Sequence, residues 1–358
     1  NQEHMIDLTA LLKEWISLPG LSGNEDPIRE SIAAAWKPLT DELSVSRLGS
    51  LHGLLRGEGP EPRPRILLAA HMDAIGLMVT EQAGDLLRIT MVGGVDHRIL
   101  PGTLVTVHGR RDLPGVVVSP PERLLPPSAA GKPVKMEHLL VDTGLTADEL
   151  SQLVRTGDLI SFAQQPLDLT GETLAGHSLD NRASVAALTV CLEELRRMRP
   201  AWDTWAAATV QEEETFAGGY TSPFELEPDL AVAVDVTHAA GPGADGWRTV
   251  PLGKGPALGI GPNVHPAVHN RFKEVADRMD MEVTVEPMPA HSGTDAYPMQ
   301  VTGAGIPTMV VSIPLRYMHT PVEVVSLKDI RKVGRLLAQF IATLEVDFIK
   351  NIRWEGEE

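Results

Sequence analysis

Two histidines, a run of three glutamates and two isolated aspartates carry the chemistry this chain is able to do. They are His71, His319, Glu212-Glu213-Glu214, Asp180 and Asp235. Imidazole and carboxylate without thiolate form a ligand set for zinc, cobalt or manganese. The one cysteine, Cys191, excludes an intramolecular disulfide and any thiolate-rich metal centre. It sits on a helical-looking stretch and reads as a buried structural thiol. Asp73 follows His71 by two residues, so on an extended chain it lies on the same side and can orient the imidazole.

Each of these residues has an ordinary alternative. The chain has twelve histidines, and a lone histidine is most often a satisfied surface or core residue. Asp180 can simply cap the helix it opens. An acidic triplet is usually a solvated face. Here, however, the triplet directly follows an apolar strand, where solvation alone is a poor reason for the burial that precedes it.

The hydrophobic pattern supplies the scaffold. Leu8, Leu11, Leu12 and Trp15 recur at helical spacing after Asp7, and Ile28, Ile32 and Trp36 mark a second helix. Arg65–His71 is a short continuous apolar run, the mark of a strand buried on both faces of a mostly parallel sheet. Trp205–Val210, Leu230–Val234 and Thr308–Ile313 follow the same pattern. Further helices are predicted along Val185, Leu188, Leu192 and Leu195, over about Pro266–Arg278, and along Ile330, Val333, Leu337, Ile341 and Leu344. A strand is predicted at Glu282–Val285. In open α/β sheets ligands bind at the carboxyl ends of strands. His71, Glu212-Glu213, Asp235 and, after a short loop, His319 all stand there, and Asp180 opens the helix bearing Cys191.

Between Met72 and Ala163 the pattern changes. Short runs such as Leu86–Val92, Thr103–Val107, Gly115–Val118 and Leu159–Phe162 predict a small β barrel or sandwich. Proline-rich Ser119–Pro133 predicts a long surface loop within it. The chain therefore reads as α/β: a doubly wound, mostly parallel sheet domain from 1–71 and 164–358, with a β domain inserted at 72–163.

The 358 residues suit two domains, or one large domain with an insertion, and 48 acids against 31 bases leave a formal charge of −17. That surplus repels phosphate backbones and anionic lipids, so no nucleic-acid or membrane partner is expected. No apolar run is long enough to span a bilayer and no secretory signal is visible, which predicts a cytoplasmic protein. The His4-Met5 junction reads as a cloning scar before a native start at Met5.

Eight segments, in order along nearly the whole chain, resemble the tetrahedral (TET-like) family of dinuclear metalloaminopeptidases. Some members of that family are described as glutamyl or deblocking aminopeptidases or as endoglucanases. The segments are Pro19–Glu25, His71-Met72-Asp73, Gly93-Gly94, Asp180-Asn181-Arg182, Gln211-Glu212-Glu213, Asp235-Val236-Thr237, Gly293–Ala296 and Arg316–Glu323. The resemblance implies two divalent ions per chain, zinc or cobalt. Asp180 would bridge them, His71 and Asp235 would complete one site, and Glu213 and His319 the other. Glu212 would be the general base, with Asp73 in the catalytic set beside it. The three ligand carboxylates leave two divalent ions net positive, enough to acidify a bridging water. The family's inserted domain is PDZ-like and used in dimerisation, and its members assemble as dimers and tetrahedral dodecamers. The substrates implied are peptides with a free amino terminus.

One segment departs from the family pattern. After Glu213 the family continues with a glycine and then a basic residue before a second glycine, whereas this chain has Glu214–Tyr220. Substrate preference is therefore not carried over. Arg316 is the candidate cation in a matched motif, and it is expected to pair with Asp295 or Glu323. That would leave a near-neutral pocket favouring Leu- or Met-type over Glu- or Asp-type substrates. Rival functions are a related metal-dependent amidohydrolase or deacetylase, a glycosidase using two carboxylates, and a non-enzymatic scaffold. Chelator sensitivity and the effect of blocking the substrate amine separate them.

Overall fold

A computed structural model describes residues 6–125 and 131–353, and for Glu122 the backbone only. The His4-Met5 junction and Pro126-Pro127 fall outside the described residues. In chain order the strands are β1 (Glu42–Val45), β2 (Leu51–Leu55), β3 (Arg65–His71), β4 (Gly76–Ala83), β5 (Leu86–Val92), β6 (Leu104–His108), β7 (Asp112–Val118), β8 (Leu140–Asp142) and β9 (Leu159–Phe162). They continue with β10 (Leu167–Leu169), β11 (Thr173–Gly176), β12 (Asp203–Thr209), β13 (Leu230–His238), β14 (Ala257–Ile260), β15 (Thr284–Pro287), β16 (Thr308–Arg316) and β17 (Glu323–Ser326).

The centre of the main sheet is β12-β3-β13-β16, paired in parallel throughout. Its apolar runs are buried because helices cover them. The helix Leu179–Met198 lies against β3 and β13 and packs on the helix Leu327–Ala342. The latter buries Ile330, Val333, Leu337 and Ile341, four positions of one helical face. The doubly wound parallel core is therefore as expected, but antiparallel strands extend it on both sides and make the sheet mixed. Strands β2 and β1 continue past β12, and β17, β11 and β10 continue past β16. These flanking strands are short; the edge strand β10 is exposed along its length, so no apolar run marks it.

The strand expected at Glu282–Val285 instead runs over Thr284–Pro287, as β15. Its parallel partner β14 sets the register, pairing Ala257 with Thr284. Glu282 and Val283 lie ahead of the point where that partner begins.

Strands β4-β5-β8-β7-β6-β9 close into an antiparallel barrel, which leaves no free sheet edge. Alternate residues face its core, such as Val105 and Val107 on β6, Leu77 and Val79 on β4 and Ile160 on β9. Cys191 is buried, and burial pushes its thiol up, away from reactivity. Among the described residues no helix is long and apolar enough to cross a membrane.

Candidate active site

The parallel core delivers the expected residues to one edge. His71 ends β3 and pairs in register with Thr209 at the end of β12, so the turn after β12 lands beside it. Gln211 adopts a left-handed conformation (φ 56°), and Glu212 and Glu213 open the single helical turn that follows. Asp235 lies within β13, opposite Ser312 of β16. His319 follows β16 with φ 64°. Asp180 and Asn181 have non-helical torsions at the head of their helix, and the Asp180 carboxylate turns to the two histidines rather than to the helix N–H groups. Ser178, Gln211, Tyr317 and His319 all hold positive φ beside the candidate ligands. Each costs on the order of 1–3 kcal/mol, a strain characteristic of functional sites.

Asp180 stands between the two histidines. Its Oδ1 is 3.2 Å from His71 Nε2 and its Oδ2 is 3.4 Å from His319 Nε2. Asp235 Oδ1 lies 3.9 Å from His71 Nε2, and Glu213 Oε2 lies 3.5 Å from His319 Nε2. Glu212 Oε2 is 3.6 Å from His71 Nε2. Two groups of donor atoms come within 4.8 Å of one another: His71, Glu212 and Asp235, and His71, Asp180 and Glu213. Glu212 is thus as close to His71 as the ligand-type residues are.

Asp73 does more than orient an imidazole. Its carboxylate is 3.3 Å from His71 Nδ1, and it also accepts the backbone N–H groups of Glu212 (3.0 Å) and Glu213 (3.2 Å) and the Ser22 hydroxyl. It holds one histidine and the glutamate turn at once. Glu323 was not foreseen in this role: its buried carboxylate accepts the N–H of Asp180 (3.1 Å) and of His319 (3.0 Å). Fully buried Arg182 donates to the carbonyls of Trp15, Leu18, Gly20 and Met72 and clamps the loop beneath the site. Backbone carbonyls and amides leave no periodic signal in a sequence, so neither role was readable there.

Burial pushes the Glu212 carboxyl up to about 10, with Asp235 and Asp295 adding repulsion. Burial likewise raises Glu213 and Asp235 well above the carboxylate range, Asp180 adding to both. Burial opposes the charge on Asp180 too, yet hydrogen bonds from His319 and His71 hold it low. His71 rises well above its ordinary value; burial works against this, but Glu212, Asp180 and Asp73 outweigh it. Glu212 at about 10 keeps its proton at neutral pH, the other raised groups lean toward their protonated forms, and a bound cation would displace those protons. Cation uptake near pH 7 should therefore release protons, and apparent affinity should rise with pH. Calorimetric titrations in two buffers of different ionisation enthalpy measure the protons released; a heat independent of buffer would contradict this.

The donor set fits divalent cations. The residues bound a cavity of about 370 Å³ whose lining contains Asp180, Glu212, Glu213, Glu214, Asp235 and Glu286, with His71, His238 and His319. Among the described residues that lining holds no lysine or arginine. Glu213 Oε1 is buried without a hydrogen-bond partner, an acceptor left for something not supplied by the protein. Residues 49–336 match the family described as M42 glutamyl aminopeptidase. The chain belongs to the M42 peptidase family. A lysyl aminopeptidase of Pyrococcus furiosus is 33% identical over 351 residues, 94% of this chain and 98% of that protein. The structure of an aminopeptidase from the archaeon Desulfurococcus kamchatkensis has a TM-score of 0.89 at 31% identity, covering 97% of each chain. That of the Pyrococcus horikoshii TET1 peptidase, which can assemble into a tetrahedron or a large octahedral shell, has a TM-score of 0.82 at 29% identity, covering 94% of this chain and 100% of that one.

As an M42 peptidase the chain is a peptide hydrolase, and the motif resemblance and the fold it implied both stand. The expected pairing of Arg316 does not. Arg316 Nε donates to the Ala240 carbonyl at 2.8 Å, and its side chain is not part of the cavity wall. Asp295 instead accepts the Thr209 hydroxyl, and Glu323 is committed to the two backbone amides. The position of Arg316 at the end of β16 puts it within reach of the 240 loop. This M42 chain's cavity is therefore acidic rather than neutral.

Proposed function

We propose that this chain is an aminopeptidase working with two divalent cations, zinc or cobalt, and that it removes the first residue from peptides with a free amino terminus. The observation that carries the reading is Asp180, whose two oxygens face His71 and His319 separately. His71 and Asp235 would hold one cation, Glu213 and His319 the other, and Asp180 both. Bound there, the cations would polarise the scissile carbonyl and acidify the attacking water. Glu212 is the proton acceptor: it lines the cavity, and it would take the water's proton and return it to the leaving amine. Asp73 keeps the Glu212 backbone and the His71 ring in register while that proton moves. We further propose that the barrel, with the chain around it at 72–163, is an association domain serving an assembly like those of the TET peptidases.

The acidic wall sets substrate preference. Asp180, Glu212, Glu213 and Asp235 balance two divalent cations, which leaves Glu214 and Glu286 of the cavity lining in excess. Glu286 is held in place by the hydroxyls of Thr237 and Ser312. Peptides with acidic first residues should be the poorest substrates, and basic or neutral ones should exceed them in kcat/KM by about tenfold or more, the effect of roughly 1.4 kcal/mol of like-charge repulsion.

One metal-replete panel tests both statements: Lys-, Leu- and Glu-type chromogenic substrates beside their N-acetylated forms. Hydrolysis of the unblocked substrates alone is expected. Preference for the acetylated forms would establish a deacylase instead, and faster cleavage after Glu would contradict the charge argument.

A further inference from the structure

His319 is the most open of the ligand-type residues. Its side chain is 35% exposed, against 2% for His71 and 5% for Glu213. The Nδ1 of His71 is held by Asp73 from within the core. The Nδ1 of His319 is held by a backbone carbonyl, that of Gly94, at 2.9 Å. A carbonyl only accepts, so His319 donates its Nδ1–H there and turns the Nε2 lone pair toward Asp180 and Glu213. That orientation is no better defined than the Gly93-Gly94 segment, which leaves the end of β5 and is stiffened by no side chain of its own.

The segment is tied down from the other side of the cavity. Glu214 Oε1 accepts the Gly93 N–H at 2.5 Å. The Asp96 N–H reaches the His319 carbonyl at 3.3 Å. Both glycines are sterically required. Gly93 has φ 75°, and a Cβ on Gly94 would stand 2.7 Å from His319 Nδ1. Glu214 is also the first residue of the segment that departs from the family pattern.

We propose that Glu214 is a positioning residue: through Gly93 and Gly94 it orients His319 and so sets the affinity of the cation site built on Glu213 and His319. The proposal rests on the two-cation reading above. It makes the segment that follows β5 of the barrel part of that cation site.

Competition against a chelator, measuring the affinity of each of two Zn²⁺ ions at fixed pH, tests it in four proteins. In E214A one ion should bind about tenfold or more weakly, within the range found for outer partners of metal ligands, and the other should bind as before. E214Q keeps an oxygen acceptor for Gly93 and should bind both ions as the parent does. G94A pushes a Cβ into the His319 ring and should weaken the same ion as E214A. Unchanged affinities in E214A would overturn the proposal. Equal losses in E214Q and E214A would also overturn it, because charge rather than the hydrogen bond would then be acting. If the parent protein itself bound fewer than two ions, the two-cation reading would fall and this proposal with it, a result visible before any variant is made.

Discussion

Asp180→Ala should leave the protein folded, nearly free of metal and without peptidase activity. The carboxylate faces both histidines, 3.2 Å from one and 3.4 Å from the other, and no other carboxylate among the described residues does so. Each cation site would lose a ligand and a negative charge together. Outer partners of metal ligands alone are worth roughly 10–100-fold in affinity, so removal of a shared ligand should exceed that for both ions. Elemental analysis after gel filtration reads the outcome. Retention of two ions per chain in the variant would show that Asp180 bridges nothing.

Glu212→Gln should have the opposite signature, with metal retained and turnover lost. The substitution preserves size and leaves the backbone N–H that Asp73 accepts, but it removes the proton acceptor. A fall in kcat of roughly 10²–10⁴ follows from losing a positioned general base. The adjacent change, Glu213→Gln, should weaken one ion, because Glu213 is the carboxylate within 3.5 Å of His319. Metal content and kcat measured on both variants separate the neighbours, and an inverted pattern would mean that their roles are exchanged.

What the sequence made legible follows from how each feature is encoded. The strand Arg65–His71 and the helix Pro266–Arg278 were readable because a buried element must be apolar along its length or along one face. The short edge strands β1 and β10 are mostly exposed and left no such trace. The candidate ligands were visible as residue types at strand ends. Their supports were not, because Glu323 and Arg182 act on backbone groups whose positions depend on the finished fold. Arg316 was expected to pair with a carboxylate because opposite charges shared a motif, yet the end of β16 aims it at the Ala240 carbonyl. The stretch 72–163 contributes none of the five candidate ligands, yet its Asp73 and Gly94 hold the outer nitrogens of both histidines. Excising it whole would therefore disturb the site itself.

The order of these residues along the chain has a consequence for biosynthesis. His71 leaves the ribosome early; His319 and Glu323, which accepts the N–H groups of Asp180 and His319, leave late. Until β16 docks beside β13, Asp180 has one histidine to face and its supporting carboxylate is absent. A nascent chain, or one broken off before β16, therefore carries most of the glutamates and aspartates of the candidate site but not their arrangement around two histidines. On the proposed reading the site is complete only when the last strands of the sheet, β16 and β17, are in place.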